Sequence, residues 1–101
     1  MKSYQVRFRS EFYADLIDSY DWGVEYWGEQ AAISWSEQIE SKILEILSRS
    51  PMGCSKAPES DLVSGEEIRQ LIIGRYRVLF AIHGAEVLVL SLRGPFNSSR
   101  A

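Results

Sequence analysis

The stretch from Glu67 to Arg93, EIRQLIIGRYRVLFAIHGAEVLVLSLR, constrains this chain more than any other. It divides into three short segments at Gly74 and at His83-Gly84-Ala85, where glycine supplies the positive φ that a tight hairpin needs. The segments read as strands over about Glu67–Ile72, Arg75–Ile82 and Glu86–Arg93. In the middle one, Tyr76, Val78, Phe80 and Ile82 alternate with Arg75, Arg77, Leu79 and Ala81, the period of 2 that puts each set on its own side of a sheet. The first set is apolar throughout and belongs against a core. The second begins with two arginines, so the strand offers a partly cationic face to something else. In the last strand the alternation does not decide, because Val87 and Val89 compete with Leu88, Leu90 and Leu92 for the covered side. If the leucines face inward, Ser91 and Arg93 join Arg77 on the open face.

The rest of the chain supplies the cover. Tyr4, Val6 and Phe8 alternate with Gln5, Arg7 and Arg9 in a first strand over Ser3–Arg9. Ser10 is placed to cap a helix, with Glu11 in its first turn, and Phe12, Leu16, Ile17 and Tyr20 recur at helical spacing, continued by Val24 and Trp27 up to a stop at Gly28. A second helix runs from about Glu29 to Arg49 with the stripe Ala32, Trp35, Ile39, Ile43, Ile46 and Leu47. Helices so close in sequence form a hairpin. The aromatics Trp22, Tyr26 and Trp27 are expected to pack that hairpin rather than stack a ligand. Ser50–Gly65, with Pro51, Gly53 and Pro58, reads as an irregular connection, long for so small a chain. The order β-α-α-β-β-β predicts an α+β fold, with the helix hairpin packed on one face of a small, mainly antiparallel sheet. Residues 1–95 are expected to form one domain and 96–101 a short flexible tail.

Composition narrows the function classes. A length of 101 residues suits a single core without metals or disulfides. No apolar run approaches the roughly 18 residues of a membrane span, and the N-terminus carries no secretory pattern, so a cytoplasmic protein without membrane contact is expected. One cysteine, Cys54, and one histidine, His83, make neither a disulfide nor a metal site, and no cofactor is expected. His83 reads as a turn residue. The net charge of -3 hides a division: residues 11 to 50 hold nine acids against Lys42 and Arg49, for -7, and the remaining residues hold nine bases against five acids, for +4. A basic sheet face fits an acidic protein or a phosphate backbone, and charge alone does not choose. Sequence-specific DNA binding by the chain alone is not expected.

The order of elements, the aromatic end of the first helix, the loop Pro51–Glu59 and above all the run Gly74-Arg-Tyr-Arg-Val-Leu-Phe80, followed by Val89-Leu-Ser-Leu-Arg93, resemble the RelE/ParE superfamily, the toxins of type II toxin-antitoxin systems. The nearer likeness is to the ParE-like branch. That resemblance implies a growth-inhibiting toxin neutralised by a cognate antitoxin, with DNA gyrase as target. The RelE-like alternative implies a ribosome-dependent mRNA endonuclease, and a third reading is a module that binds an antitoxin without being toxic. The resemblance implies that antitoxin or target meets Arg69, Arg75, Arg77, Ser91 and Arg93. In a nuclease, Arg77, Arg69 and Arg93 would be the catalytic candidates, yet a general base and a general acid for RNA cleavage are not evident beside them. The segment Ser91-Leu-Arg-Gly-Pro-Phe-Asn97 also lacks the histidine and the basic run that ParE-like sequences commonly carry there.

Overall fold

The computed structural model describes residues 3–62 and 67–94. The expected tail and the end of the connection at Gly65 lie outside them. The elements are β1 (Gln5–Phe8), α1 (Ser10–Trp27), α2 (Glu29–Arg49), a 3-10 turn (Pro51–Gly53), β2 (Ser55–Lys56), a second 3-10 turn (Pro58–Leu62), β3 (Arg69–Ile73), β4 (Tyr76–His83) and β5 (Glu86–Arg93). The strands make one sheet in the order β1-β5-β4-β3-β2. All neighbours are antiparallel except β1, which lies parallel to β5 with Val6 opposite Val87 and Phe8 opposite Val89. A parallel neighbour needs a long crossover, and the helix hairpin sits within the one that follows β1.

Helix α1 lies against β5 and α2 against β1. Between them and the sheet, Phe12, Ile39, Ile43 and Leu47 meet Leu71, Tyr76, Val78, Phe80, Val87, Val89 and Leu92 in one buried cluster. The middle strand therefore turns Tyr76, Val78 and Phe80 inward as its alternation requires, with Ile82 at the margin. On α2 the expected stripe is the packed face: Ala32, Ile39, Ile43 and Leu47 are buried, and Trp35 and Ile46 partly so. On α1 the stripe is narrower than expected, since Ile17 is 59% exposed. Ser10 is the first helical residue and not the cap; Arg9 holds the cap position and makes no side-chain cap bond. Gly28, with φ 96°, is the single residue between the helices.

Both hairpins of the meander are two-residue loops, Gly74-Arg75 and Gly84-Ala85, closed by Ile73 opposite Tyr76 and His83 opposite Glu86. Only the glycine of each pair has positive φ, 60° and 64°, the pattern in which glycine leads a type II′ turn. His83 thus ends β4 instead of sitting in the turn.

The ambiguity of β5 is resolved by a bulge. Leu79 pairs with Ser91 but the next residue, Phe80, pairs with Val89, leaving Leu90 as the extra residue. Before the bulge the valines face the helices; beyond it Leu92 does. Ser91 and Arg93 consequently lie on the outer face although Val87 and Val89 are buried. Beyond the end of β1, the Leu92 amide donates to Asp15 Oδ2 of α1 at 3.0 Å. Asp15→Ala removes a charged acceptor from a part-buried amide and is expected to lower stability by about 1–3 kcal/mol in a denaturant titration. A loss below about 0.3 kcal/mol would mean that this contact does not anchor α1 to β5.

The aromatic end of the hairpin is a line of rings. Tyr26 stacks near Trp22 (4.6 Å between centroids), Trp22 meets Trp27 (5.3 Å), Trp27 meets Trp35 (6.1 Å), and Trp35 meets Tyr76 of the sheet (5.0 Å). Trp27 and Trp35 join the two helices and Trp35 joins α2 to β4, while Tyr26 at the end of the line is 64% exposed.

Candidate functional site

The outer face of the sheet, away from the helices, is built by the residues that alternate with the core set. Register places Arg77 opposite Arg93 on β5 and opposite Ile72 on β3, and Leu79 opposite Ser91 and Gln70. Arg77, Ser91 and Arg93 therefore share this face. Arg75 does not belong to the strand: it is an exposed residue of the Gly74-Arg75 turn. Arg69 is a correction to the expected patch. It pairs with Phe80, which points at the helices, so its side chain leaves the sheet on the side opposite Arg77. There its Nη1 donates to the carbonyls of Met52 (3.3 Å) and Cys54 (2.6 Å) and its Nη2 meets Glu67 at 2.9 Å. Arg69 fastens the segment after α2 to the sheet. The strand-to-strand alternation alone did not reveal this, because the register between β3 and β4 decides which of the residues 68 to 73 share a side with Arg77.

Nor is the outer face bare. The connection expected to be irregular forms β2 along β3, and then its second 3-10 turn crosses this side of the sheet. Ala57 is buried there with Ile68, Leu79 and Ala81, and Leu90 packs beside them, a second small core on the far side from the helices. Ser60 holds the crossing in place: its Oγ accepts from the Ile68 amide at 2.9 Å and its amide donates to the Ala57 carbonyl at 3.0 Å. A signal for this was present in Val78-Leu-Phe-Ala-Ile82, apolar on both parities, which marks a strand covered on both sides.

The crossing delivers Glu59 to Arg77. Nη1 of Arg77 donates to Glu59 Oε1 at 3.1 Å and Nη2 to Oε2 at 2.7 Å, a two-pronged pair, while Nη1 also donates to Gln70 Oε1 at 2.9 Å. Both charged side chains are largely covered, 34% and 20% exposed. The hydrogen bond from Arg77 holds the Glu59 carboxyl below the usual carboxylate range, with the charges of Arg77 and Arg93 acting in the same direction against burial. Arg77 is correspondingly raised by the bond to Glu59. A carboxylate so held is a poor proton acceptor at neutral pH. Since its pKa is depressed in the folded state, the pair stabilises the fold above the ordinary value of 4.5 and that contribution is lost as pH falls through the lower native value. Acid titration of stability should therefore be steeper below pH 4.5 in the parent chain than in Glu59→Gln, and equal slopes would contradict the pairing.

Two further arginines are matched by carboxylates, Arg69 by Glu67 and, across β1 and β5, Arg7 by Glu86 at 3.0 Å. The division of charge seen in the sequence is thus partly neutralised within the sheet itself. Cys54 is a free thiol whose pKa is raised by burial, and among the described residues no group of three or more His, Cys, Asp or Glu is placed to hold a metal. No described helix is long and apolar enough to cross a membrane.

A two-helix hairpin on one face of a five-stranded mixed sheet is the arrangement of the RelE/ParE toxin fold. A chain of the chromosomal ParDE toxin-antitoxin system of P. aeruginosa superposes with a TM-score of 0.75 at 20% identity, covering 91% of this chain and 96% of that one. A chain of the toxin-antitoxin complex RelBE2 of Mycobacterium tuberculosis superposes with a TM-score of 0.64 at 21% identity, covering 93% of each. No sequence in a comparison with curated proteins matches. The profile of the ParE toxin of the type II toxin-antitoxin system parDE matches residues 6–94, and the chain belongs to that family.

Proposed function

We propose that this ParE-type toxin arrests growth by binding DNA gyrase, without catalysis of its own, and that a cognate antitoxin neutralises it by covering the outer face of the sheet. The observation that carries the reading is the ParE family match over residues 6–94, combined with the state of Arg77. The arginine that a nuclease would turn on RNA is engaged by Glu59, and the carboxylate beside it is held as an acceptor rather than as a base. Both structural relatives are described as members of toxin-antitoxin pairs, which supports a protein partner. Arg77, Ser91 and Arg93 are the residues we assign to that contact. Arg75 extends it at the hairpin tip, and Arg69 contributes indirectly by holding the chain after α2. Carboxylates of the partner would meet the arginines.

The second reading is an mRNA endonuclease acting on the ribosome; the RelBE2 likeness, at 21% identity, speaks to the fold alone and does not favour it. Pulse-labelling of DNA and protein synthesis just after induction of the chain in a bacterial host separates the two. An early, selective fall in DNA synthesis supports the gyrase reading. An early, selective fall in translation overturns it in favour of the nuclease, and unaffected growth with soluble protein accumulating would leave an antitoxin-binding module without toxicity.

A further inference from the structure

We propose that Glu59 is a built-in competitor for the anion site of the outer face: its carboxylate occupies the fork of Arg77 beside Arg93, and a carboxylate of an acidic protein segment binds there by displacing it. The inference rests on the reading that a partner docks on this face, and adds what that partner must replace.

Three observations carry it. The first is that the site is already shaped for a carboxylate, because Glu59 fills it with two parallel N–H···O bonds of 3.1 and 2.7 Å, the geometry in which guanidinium and carboxylate match best. The second is charge. Arg93 stands opposite Arg77 in the register and its charge acts on the same carboxylate, while Arg77 alone is bonded to it. With Glu59 in place the three groups carry +1, and without it +2, enough to hold an incoming anion. The third is that the competitor side chain can leave without the fold. Ala57 and Ser60 are anchored independently of Glu59, by the small core and by the Ile68 amide, so a rotation of the Glu59 side chain frees Arg77 while the crossing stays seated. The internal occupant belongs to a protein segment and offers a planar carboxylate, and this is the chemistry the fork copies. A phosphodiester also pairs bidentately with a guanidinium, but the occupant that this fold itself supplies is a carboxylate.

The consequence is an exchange: the intruder reaches Arg77 only by displacing Glu59, so its affinity rises when Glu59 is removed and falls when Arg77 is lost. A merely structural ion pair would hold Glu59 against any added carboxylate, so saturating glutarate would leave the Arg77 Nε resonance of the parent chain unmoved, which would overturn the proposal, whereas a competitor lets that resonance shift. The test uses glutarate as a dicarboxylate probe and a diribonucleotide as a phosphodiester probe, each titrated into the full chain while the arginine side-chain Nε resonances are followed by NMR. Glu59→Gln is expected to bind glutarate at least tenfold more tightly than the parent chain, and Glu59→Gln/Arg77→Gln to lose that gain. Equal glutarate affinity in Glu59→Gln and the parent would overturn the proposal. Tighter binding of the diribonucleotide than of glutarate by Glu59→Gln would overturn the assignment to an acidic protein segment. Should Glu59→Gln fail to fold, Glu59→Asp shortens the carboxylate and loosens the fork, and it must still bind glutarate more tightly than the parent. Neither probe involves gyrase or antitoxin. A null titration with growth arrest intact therefore sinks the competitor alone, and a tenfold gain without growth arrest sinks the toxin reading alone.

Discussion

Phe80→Ala lowers the stability of the folded chain by about 3–5 kcal/mol, the range for emptying a fully buried phenylalanine site that relaxes only in part. Phe80 is wholly inaccessible to solvent, at the middle of β4, the strand at the centre of the sheet, in the cluster where Phe12, Ile43 and Val89 also bury their side chains. Small domains hold only about 5–15 kcal/mol in all, so this one substitution removes about a fifth of the margin or more. For a chain of this length it should lower the melting temperature by more than about 12 °C. Denaturant titration at 25 °C checks the value. A loss under about 1 kcal/mol would mean that β4 does not form the floor beneath the helix hairpin.

The second large effect falls on binding. Arg77→Glu replaces the cation of the outer face by a carboxylate beside Glu59, and weakens the complex with the cognate antitoxin by about 30-fold or more, the scale for losing one partner of a covered charge pair. The same substitution sets two carboxylates against each other inside the toxin, so reduced affinity could reflect a damaged fold. Glu59→Gln/Arg77→Gln separates the causes, since it removes both charges and leaves no buried ion unmatched. Its stability should stay within about 1 kcal/mol of the parent, as for other partly exposed pairs, while antitoxin affinity falls as it does for Arg77→Glu. Parent-like affinity in the neutral double variant, measured by titration calorimetry, would remove Arg77 from the interface.

Much of this fold was legible from one dimension. The helical stripe of α2, the inward set Tyr76-Val78-Phe80 and the glycines at both hairpins follow from periodicity and turn chemistry, which act over a few residues. Ser10 and Ile17 marked the limits of local rules, since the cap and the width of the buried stripe depend on what the helix lies against. The side chosen by β5 could not be read at all, because the bulge at Leu90 changes it midway and a bulge is a property of two strands in register. For the site, the same dependence on register separated Arg69 from Arg77. Alternation placed Arg77 on the open face, but it joined Ser91 and Arg93 to it only on the condition that the leucines of β5 face inward, and Glu59, eighteen residues before Arg77, was invisible as its partner. Only the apolar run Val78–Ile82 hinted that something covers the outer face, and it did not say what.

Action on DNA gyrase by binding alone, as proposed for this ParE-type toxin, can be measured by adding the purified chain to gyrase, relaxed plasmid and ATP and following supercoiling on a gel, with a cell-free translation reaction run in parallel. Supercoiling is expected to stop at stoichiometric toxin while the messenger RNA in the translation reaction stays intact. Undiminished supercoiling, together with cleavage of that messenger RNA, would contradict it.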